Sequence, residues 1–140
     1  MSGASKIFFA NSGGEANEAA IKFARKVGKH RGGNEKFGMV SFNNAFHGRT
    51  MGALSATNNP KYQAPFAPMV PGFTYATLND TASLQSVITD ITCGVIVEPI
   101  QGEGGIFECT PDFMVALRKR CDEVGACLIF DEIQVRSLHL

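Results

Sequence analysis

Residues able to do chemistry gather in four short stretches of this sequence. They are 11–15 (Asn11, Ser12, Gly13, Gly14, Glu15), 43–49 (ending Phe46, His47, Gly48, Arg49), 98–105 (Glu98 and Glu103 among glycines) and 131–134 (Asp131 to Gln134). Ser12, Gly13 and Gly14 stand between an apolar run and a helix-forming stretch. Backbone N–H groups at the positive end of a helix dipole suit an anion such as a phosphate. The stretch is neither a Walker loop, since no Gly-Lys-Ser/Thr follows, nor the G-x-G-x-x-G of dinucleotide sites. Asp131 closes the run Leu128, Ile129, Phe130. At the edge of an apolar sheet its carboxyl would be neutral unless a cation pairs with it. A protonated heteroaromatic nitrogen, a metal or an arginine would serve; a helix cap or a structural ion pair is the plainer alternative. Phe46 offers a ring that can stack on a planar ligand, and Arg49 a guanidinium that can grip a carboxylate bidentately. A surface turn would have the same composition, and His47 can equally be a hydrogen-bonded structural residue.

The elements that must position these clusters alternate between strand and helix. Residues 6–10, with Ile7, Phe8 and Phe9, predict a short buried strand. Residues 15–30 predict a helix with Ala16, Ala20, Phe23 and Val27 on one face, opened by Ser12 and Glu15 as a capping box and ended by Gly32 and Gly33. A strand over 37–42 leads into the polar loop 43–49 and a short helical segment towards Ala56. Pro60, Pro65, Pro68 and Pro71 mark a surface excursion too proline-rich for regular structure. Residues 81–89 could form a helix, 94–98 a buried strand and 99–105 a glycine-rich loop. Pro111 opens a helix through Glu123, with Phe113, Leu117 and Cys121 on one face. Residues 126–130 predict a final buried strand. This alternation predicts an α/β fold, a parallel sheet between helices on both faces. Ligands bind beyond the carboxyl ends of such strands, and all four clusters fall there. Taken singly, each cluster is also what a polar turn looks like.

Composition narrows the function classes. The 140 residues are 44% hydrophobic and 19% charged, and thirteen basic residues balance thirteen acidic ones, so nothing points to nucleic acid or a membrane surface. No apolar run reaches the ~18 residues of a membrane-spanning helix. Residues 1–5 carry no targeting pattern. Cys93, Cys109, Cys121 and Cys127 lack close C-x-x-C spacing, which suits reduced core thiols in a reducing compartment. Asn79-Asp80-Thr81 is a formal glycosylation triplet, read here as chance.

In this order and spacing the four clusters resemble class III aminotransferases, a branch of the fold-type I pyridoxal-phosphate enzymes. The stretch from Asn11 to Lys22 looks like the family's phosphate-cup helix and Asn44 to Thr50 its ring-stacking loop. Glu98 to Gly105 and Asp131 to Gln134 match two further signatures. The resemblance implies a three-layer α/β/α fold, with residues 6–134 forming part of the large cofactor domain and 135–140 a divergent tail. It implies pyridoxal 5′-phosphate as cofactor, its phosphate held at Ser12, Gly13 and Gly14, the latter two through backbone amides. Phe46 would stack on the ring, Asp131 pair with the ring nitrogen and Gln134 hydrogen-bond the ring hydroxyl oxygen. Arg49 would anchor a substrate carboxylate. Glu103 would pair with a mobile arginine to switch between substrates, and Glu98 would lie behind it.

Gly14 departs from the usual Thr or Ser, which keeps a backbone donor and removes a side-chain one. After Gln134 the likeness stops, and the covalent cofactor lysine, a threonine from a partner subunit and the arginine partner of Glu103 are expected beyond residue 140. None of Lys6, Lys22, Lys26, Lys29, Lys36, Lys61 and Lys119 follows Asp131 as the family lysine does. The resemblance implies amino transfer from N-acetylornithine to 2-oxoglutarate in a homodimer, in the mitochondrial matrix or cytoplasm. Ornithine or 4-aminobutyrate as donor, and a catalytically inactive truncated product, are the alternatives.

Overall fold

The first helix, α1 (Gly13–Gly32), begins where side-chain capping dictates in a computed structural model that describes residues 5–134. Ser12 Oγ accepts the Glu15 N–H at 3.2 Å, and Glu15 Oε2 reaches back to the Asn11 N–H at 2.8 Å. The return bond falls one residue before the cap, a variant of the capping box. Gly33, at φ 77°, ends the helix. The buried face is Asn17, Ile21, Ala24 and Gly28, one residue on from the expected set, and Phe23 is 55% exposed. Size, not hydrophobicity, selects that face. A Cβ on Gly28 would lie 2.4 Å from Cys93 Cβ, and one on Gly94 would lie 2.8 Å from Ala24 Cβ. Helix and strand approach too closely for Phe23 or Val27 to stand between them.

The strands are β1 (Gly38–Phe42), β2 (Phe73–Ala76), β3 (Thr92–Val97), β4 (Ile100–Gln101), β5 (Phe107–Glu108) and β6 (Cys127–Phe130). Four of them form a parallel sheet in the order β2-β1-β3-β6. Alternation along the strands, interrupted at Cys93 where the register between β1 and β3 shifts by one residue, divides the core in two. Met39 and Cys93 pack against Ile21 and Ala24 of α1. Val40, Phe42, Val95 and Val97 point the other way, onto α4 (Leu84–Val87) and α5 (Pro111–Val124), where Phe113, Leu117 and Cys121 are buried. Phe42 and Phe113 meet edge-on at 5.6 Å, a geometry worth about 0.5–1.5 kcal/mol beyond burial. Thr110 caps α5, Pro111 occupies its first turn and Gly125, at φ 68°, ends it. The result is the expected three-layer α/β/α arrangement.

Several expectations need correction. Residues 6–10 form no strand: Ile7, Phe8 and Phe9 are largely exposed, and no described strand pairs with them. An apolar run supplies hydrophobicity, but a strand also needs a backbone partner. The proline-rich stretch holds regular structure after all. After α2 (Met51–Ala56), the short helical segment expected towards Ala56, Asn59 caps the short α3 (Pro60–Gln63), with Pro60 in the first turn, and a 3-10 turn follows at Ala64–Phe66. Strand β2 begins just after Gly72, and its Phe73, Thr74 and Tyr75 are good strand formers. The loop at 99–105 contains β4, which pairs with β5 in an antiparallel hairpin. The helix expected over 81–89 shrinks to one turn, because Asp80 and Ser83 hydrogen-bond each other at its start. Strand β6 is half-buried rather than buried, pairing only with β3 among the described strands. The divergent tail expected at 135–140 lies outside the described residues.

Cys93, Cys109 and Cys121 are buried and Cys127 is half-buried, all as free thiols. Burial pushes Cys109 and Cys121 up to about 11. Asn79 of the glycosylation triplet is committed on both sides, donating to the Glu108 carbonyl at 3.0 Å and accepting from the Thr110 N–H at 2.9 Å. No helix among the described residues is long and apolar enough to cross a membrane.

Candidate active site

Because β1, β3 and β6 are parallel, Phe42, Val97 and Phe130 end at one edge of the sheet. The segments that follow them converge there on the start of α1. A cavity of about 180 Å³ lies at that edge, lined by Gly13, Gly14, Phe46, His47, Gly48, Glu98, Ile100, Asp131, Ile133 and Gln134. All four sequence clusters contribute to it. The absence of side chains at the helix start matters: a Cβ on Gly13 would lie 2.7 Å from Ile133 Cδ1, and one on Gly48 2.9 Å from Gly14 Cα. Gly48 also sits at φ 126°, a conformation that favours glycine.

Asp131 is 8% exposed and densely hydrogen-bonded. Its Oδ2 accepts from Asn17 Nδ2 at 2.8 Å and lies 2.8 Å from His47 Nδ1, while Oδ1 accepts the Ile133 N–H at 3.2 Å. Burial pulls the carboxyl up, but the hydrogen bonds from His47 and Asn17 outweigh it and hold it below its ordinary 3.8. An ionised carboxylate only accepts, so His47 carries its proton on Nδ1. Both partners of this oxygen, Asn17 Nδ2 and the Nδ1–H of His47, are hydrogen-bond donors, and together they answer the need for a partner that the sequence left open. His47 Nε2 is buried and has no partner among the described residues. No group of three or more His, Cys, Asp or Glu among those residues could hold a metal.

The loop carrying Phe46 is fixed from several sides. Glu98 Oε2 accepts the Phe46 N–H at 3.1 Å, Thr57 Oγ1 accepts the His47 N–H at 2.9 Å, and Asn17 Nδ2 donates to the His47 carbonyl at 2.7 Å. Gln101 Nε2 donates to the Asn43 carbonyl at 2.9 Å. Asn17 thus ties helix, loop and Asp131 together. Sequence reading passed over it, although a polar residue within the small-residue stripe 17, 21, 24, 28 was the available signal. His47 was read without choosing its role.

Burial pushes Glu98 from 4.5 up to about 7, against the opposing Phe46 N–H bond. A folded-state pKa above the unfolded one means the folded chain holds an extra proton between about pH 4.5 and 7, so stability falls as pH rises through that window. The ceiling is about 3 kcal/mol, at 1.36 kcal/mol per unit. Asp131 acts only below its ordinary value, where its stabilising contribution is lost as pH falls. Urea unfolding between about pH 5 and 7.5 should show the decline in the wild type and a flatter profile in Glu98→Gln. Equal slopes would show that Glu98 is not the group responsible.

The remaining expected site residues, Ser12, Arg49 and Glu103, do not line this cavity, and Arg49 does not line the second one either. Ser12 serves as the cap of α1 and does not line the cavity. Glu103 lines a second cavity of about 240 Å³ that shares the Phe46 ring and includes Tyr62. Arg49 is exposed, its guanidinium carbon 5.6 Å from the Phe46 ring centre.

A helix start, an aromatic ring and a buried aspartate meet at one cavity at the carboxyl edge of this sheet, where an open α/β domain binds its ligand. The family Aminotransferase class-III matches residues 1–135, and the chain belongs to that family. It is 65% identical over 135 residues to the mitochondrial acetylornithine aminotransferase of Neurospora crassa, covering 96% of this chain and 29% of that protein. It is 53% identical over 131 residues to a Salmonella newport succinylornithine transaminase, covering 94% and 32%. Among solved structures, a Toxoplasma gondii ornithine aminotransferase with partial occupancy of PLP at its active site superposes with a TM-score of 0.83 at 32% identity, covering 90% of this chain and 30% of that one. The chain spans about 30% of the length of these relatives.

Proposed function

We propose that this chain forms part of the cofactor domain of a pyridoxal-phosphate-dependent aminotransferase that moves the δ-amino group of N-acetylornithine to 2-oxoglutarate in arginine biosynthesis. The observation that carries this reading is the buried Asp131, ionised by His47 and Asn17 and facing the same cavity as the start of α1 and the Phe46 ring. The likeness to the Neurospora crassa enzyme favours N-acetylornithine over ornithine or 4-aminobutyrate as donor and the mitochondrial matrix as location. A homodimer follows the same reading.

The residues fit the cofactor. The first N–H groups of a helix have no partner within it, and Gly13 and Gly14 border the cavity, contributing no side chain of their own, with Ile133 packed against Gly13. Phe46 supplies an aromatic face, and Asp131 supplies an acceptor that cannot donate. Pyridoxal phosphate bound there would supply an aldehyde carbon to take up the amino group and a ring to accept electrons. Gly13 and Gly14 hold its phosphate, with Ser12 fixing the helix start that presents them. Phe46 would stack on the ring, and Asp131 would keep a proton on the ring nitrogen. Gln134 donates to the ring hydroxyl oxygen. Arg49 would bind the substrate carboxylate, and Glu103, which lines the second cavity, would pair with a mobile arginine to switch between substrates.

A chimera in which residues 1–134 replace the matching stretch of the Neurospora crassa enzyme provides the test. Arg49→Lys exchanges a planar fork for a point charge. Losing one charge-assisted hydrogen bond raises KM for N-acetylornithine and 2-oxoglutarate by roughly 10- to 100-fold, with cofactor affinity within about twofold. Equal losses for substrate and cofactor would point to misfolding and remove Arg49 from the site.

A further inference from the structure

Arg49 makes no ion pair among the described residues, yet its guanidinium is held in place. Its carbon lies 4.0 Å from the centre of the Tyr62 ring and 5.6 Å from that of Phe46. A guanidinium carries its charge across its plane and its five donors along its edge. Two aromatic rings can satisfy the first and leave the second uncommitted. Both rings line the second cavity, together with Asn44, Asn59 and Glu103. Tyr62 is fixed there by α3, where its N–H donates to the Asn59 carbonyl at 3.0 Å beneath the Asn59 cap. Glu103 repels a carboxylate entering this cavity, so the entrant binds only where Arg49 is near enough to outweigh it.

We propose that Tyr62 is a positioning residue: with Phe46 it clamps the Arg49 guanidinium beside the second cavity and makes that cavity the carboxylate subsite for amino donor and oxo-acid acceptor. This rests on the reading of Arg49 as carboxylate anchor. Tyr62 touches Arg49, not the reacting atoms, and it acts through its ring rather than its hydroxyl. Phenylalanine therefore preserves the effect, and alanine removes it.

The experiment titrates the nitrogen-15-labelled 140-residue chain with glutarate and follows the Arg49 Nε–H resonance, with core methyl signals of Val95 and Leu117 as a check on folding. Wild type and Tyr62→Phe should bind with the same Kd within about twofold. Tyr62→Ala should bind roughly 5- to 10-fold more weakly, within the span expected for a partly exposed cation–π contact. In Arg49→Ala, followed at the Tyr62 and Glu103 amides, saturable binding should be lost. If Tyr62→Ala matches wild type while Arg49→Ala abolishes binding, the Tyr62 assignment fails and the anchor reading stands. A Tyr62→Phe loss as large as that of Tyr62→Ala also overturns it. If wild type shows no saturable binding, or Arg49→Ala binds normally, the anchor reading fails and takes the Tyr62 assignment with it.

Discussion

Asp131→Asn is expected to lower amino-transfer turnover on the order of 10²- to 10³-fold in the chimera, the scale of losing one preorganised electrostatic partner, while the fold survives. The hydrogen bonds around Asp131 explain why so small a change matters. Asn17 and His47 both donate to Oδ2 and the Ile133 N–H donates to Oδ1, so an amide at position 131 meets most of these donors with its oxygen turned towards Asn17 and His47, and then sets its NH₂ against the Ile133 N–H. Its NH₂ then stands where Oδ1 was. A group that donates there cannot keep a proton on a ring nitrogen; it favours the unprotonated ring instead. Turnover should fall far more than KM rises, because the lost interaction strengthens as charge develops in the reaction. His47→Gln should show the same effect in weaker form. Turnover unchanged within about twofold in Asp131→Asn would refute the role given to Asp131.

The second large effect is all-or-none. The 140-residue chain by itself should transfer no amino groups and should form no lasting lysine adduct in the cavity. Seven lysines are present, and none lines either cavity at the sheet edge. Lys36, the buried one, is committed elsewhere, donating to the Asp90 and Val124 carbonyls at 2.8 and 2.6 Å. With no lysine lining the cavity, pyridoxal phosphate would, on the proposed reading, be held by the α1 amides, the Phe46 ring and Asp131 alone, and its binding is expected to be reversible. The check is to add pyridoxal phosphate, reduce with borohydride and map the modified residues by mass spectrometry, alongside an assay of transfer from N-acetylornithine to 2-oxoglutarate. Sparse labelling of exposed lysines without transfer is the expected result. One stoichiometric adduct together with measurable transfer would overturn it.

Much of the site was legible because its parts are local. The Ser12–Glu15 cap, the glycines after it and an aspartate closing an apolar strand each carry their chemistry within a few residues, and alternation of strand and helix places them at one edge. What was not legible depends on contacts between distant segments. Asn17 and Asp131 are 114 residues apart, and His47 and Asp131 are 84 apart; no local pattern announces such a pairing. The buried face of α1 was misjudged because periodicity rewards large apolar residues, whereas close packing on β3 selected Ala24 and Gly28. Residues 6–10 looked like a strand because apolar runs are local, while the neighbour a strand requires is not. Strand β2 was hidden behind prolines that end just before it.

On the proposed reading, the cavity at the start of α1 binds the cofactor, with Asp131 at its ring nitrogen. Pyridoxine 5′-phosphate tests it most directly, because it carries the ring and phosphate without the aldehyde that reacts with lysines. Titrated into the nitrogen-15-labelled 140-residue chain, it should shift the amides of Gly13, Gly14, Phe46 and Ile133 most, saturably and with one Kd. In Asp131→Asn the shifts at Ile133 should shrink while those at Gly13 and Gly14 persist. Shifts confined to exposed lysines and the far face of the sheet, with Gly13, Phe46 and Ile133 unmoved, would contradict the account.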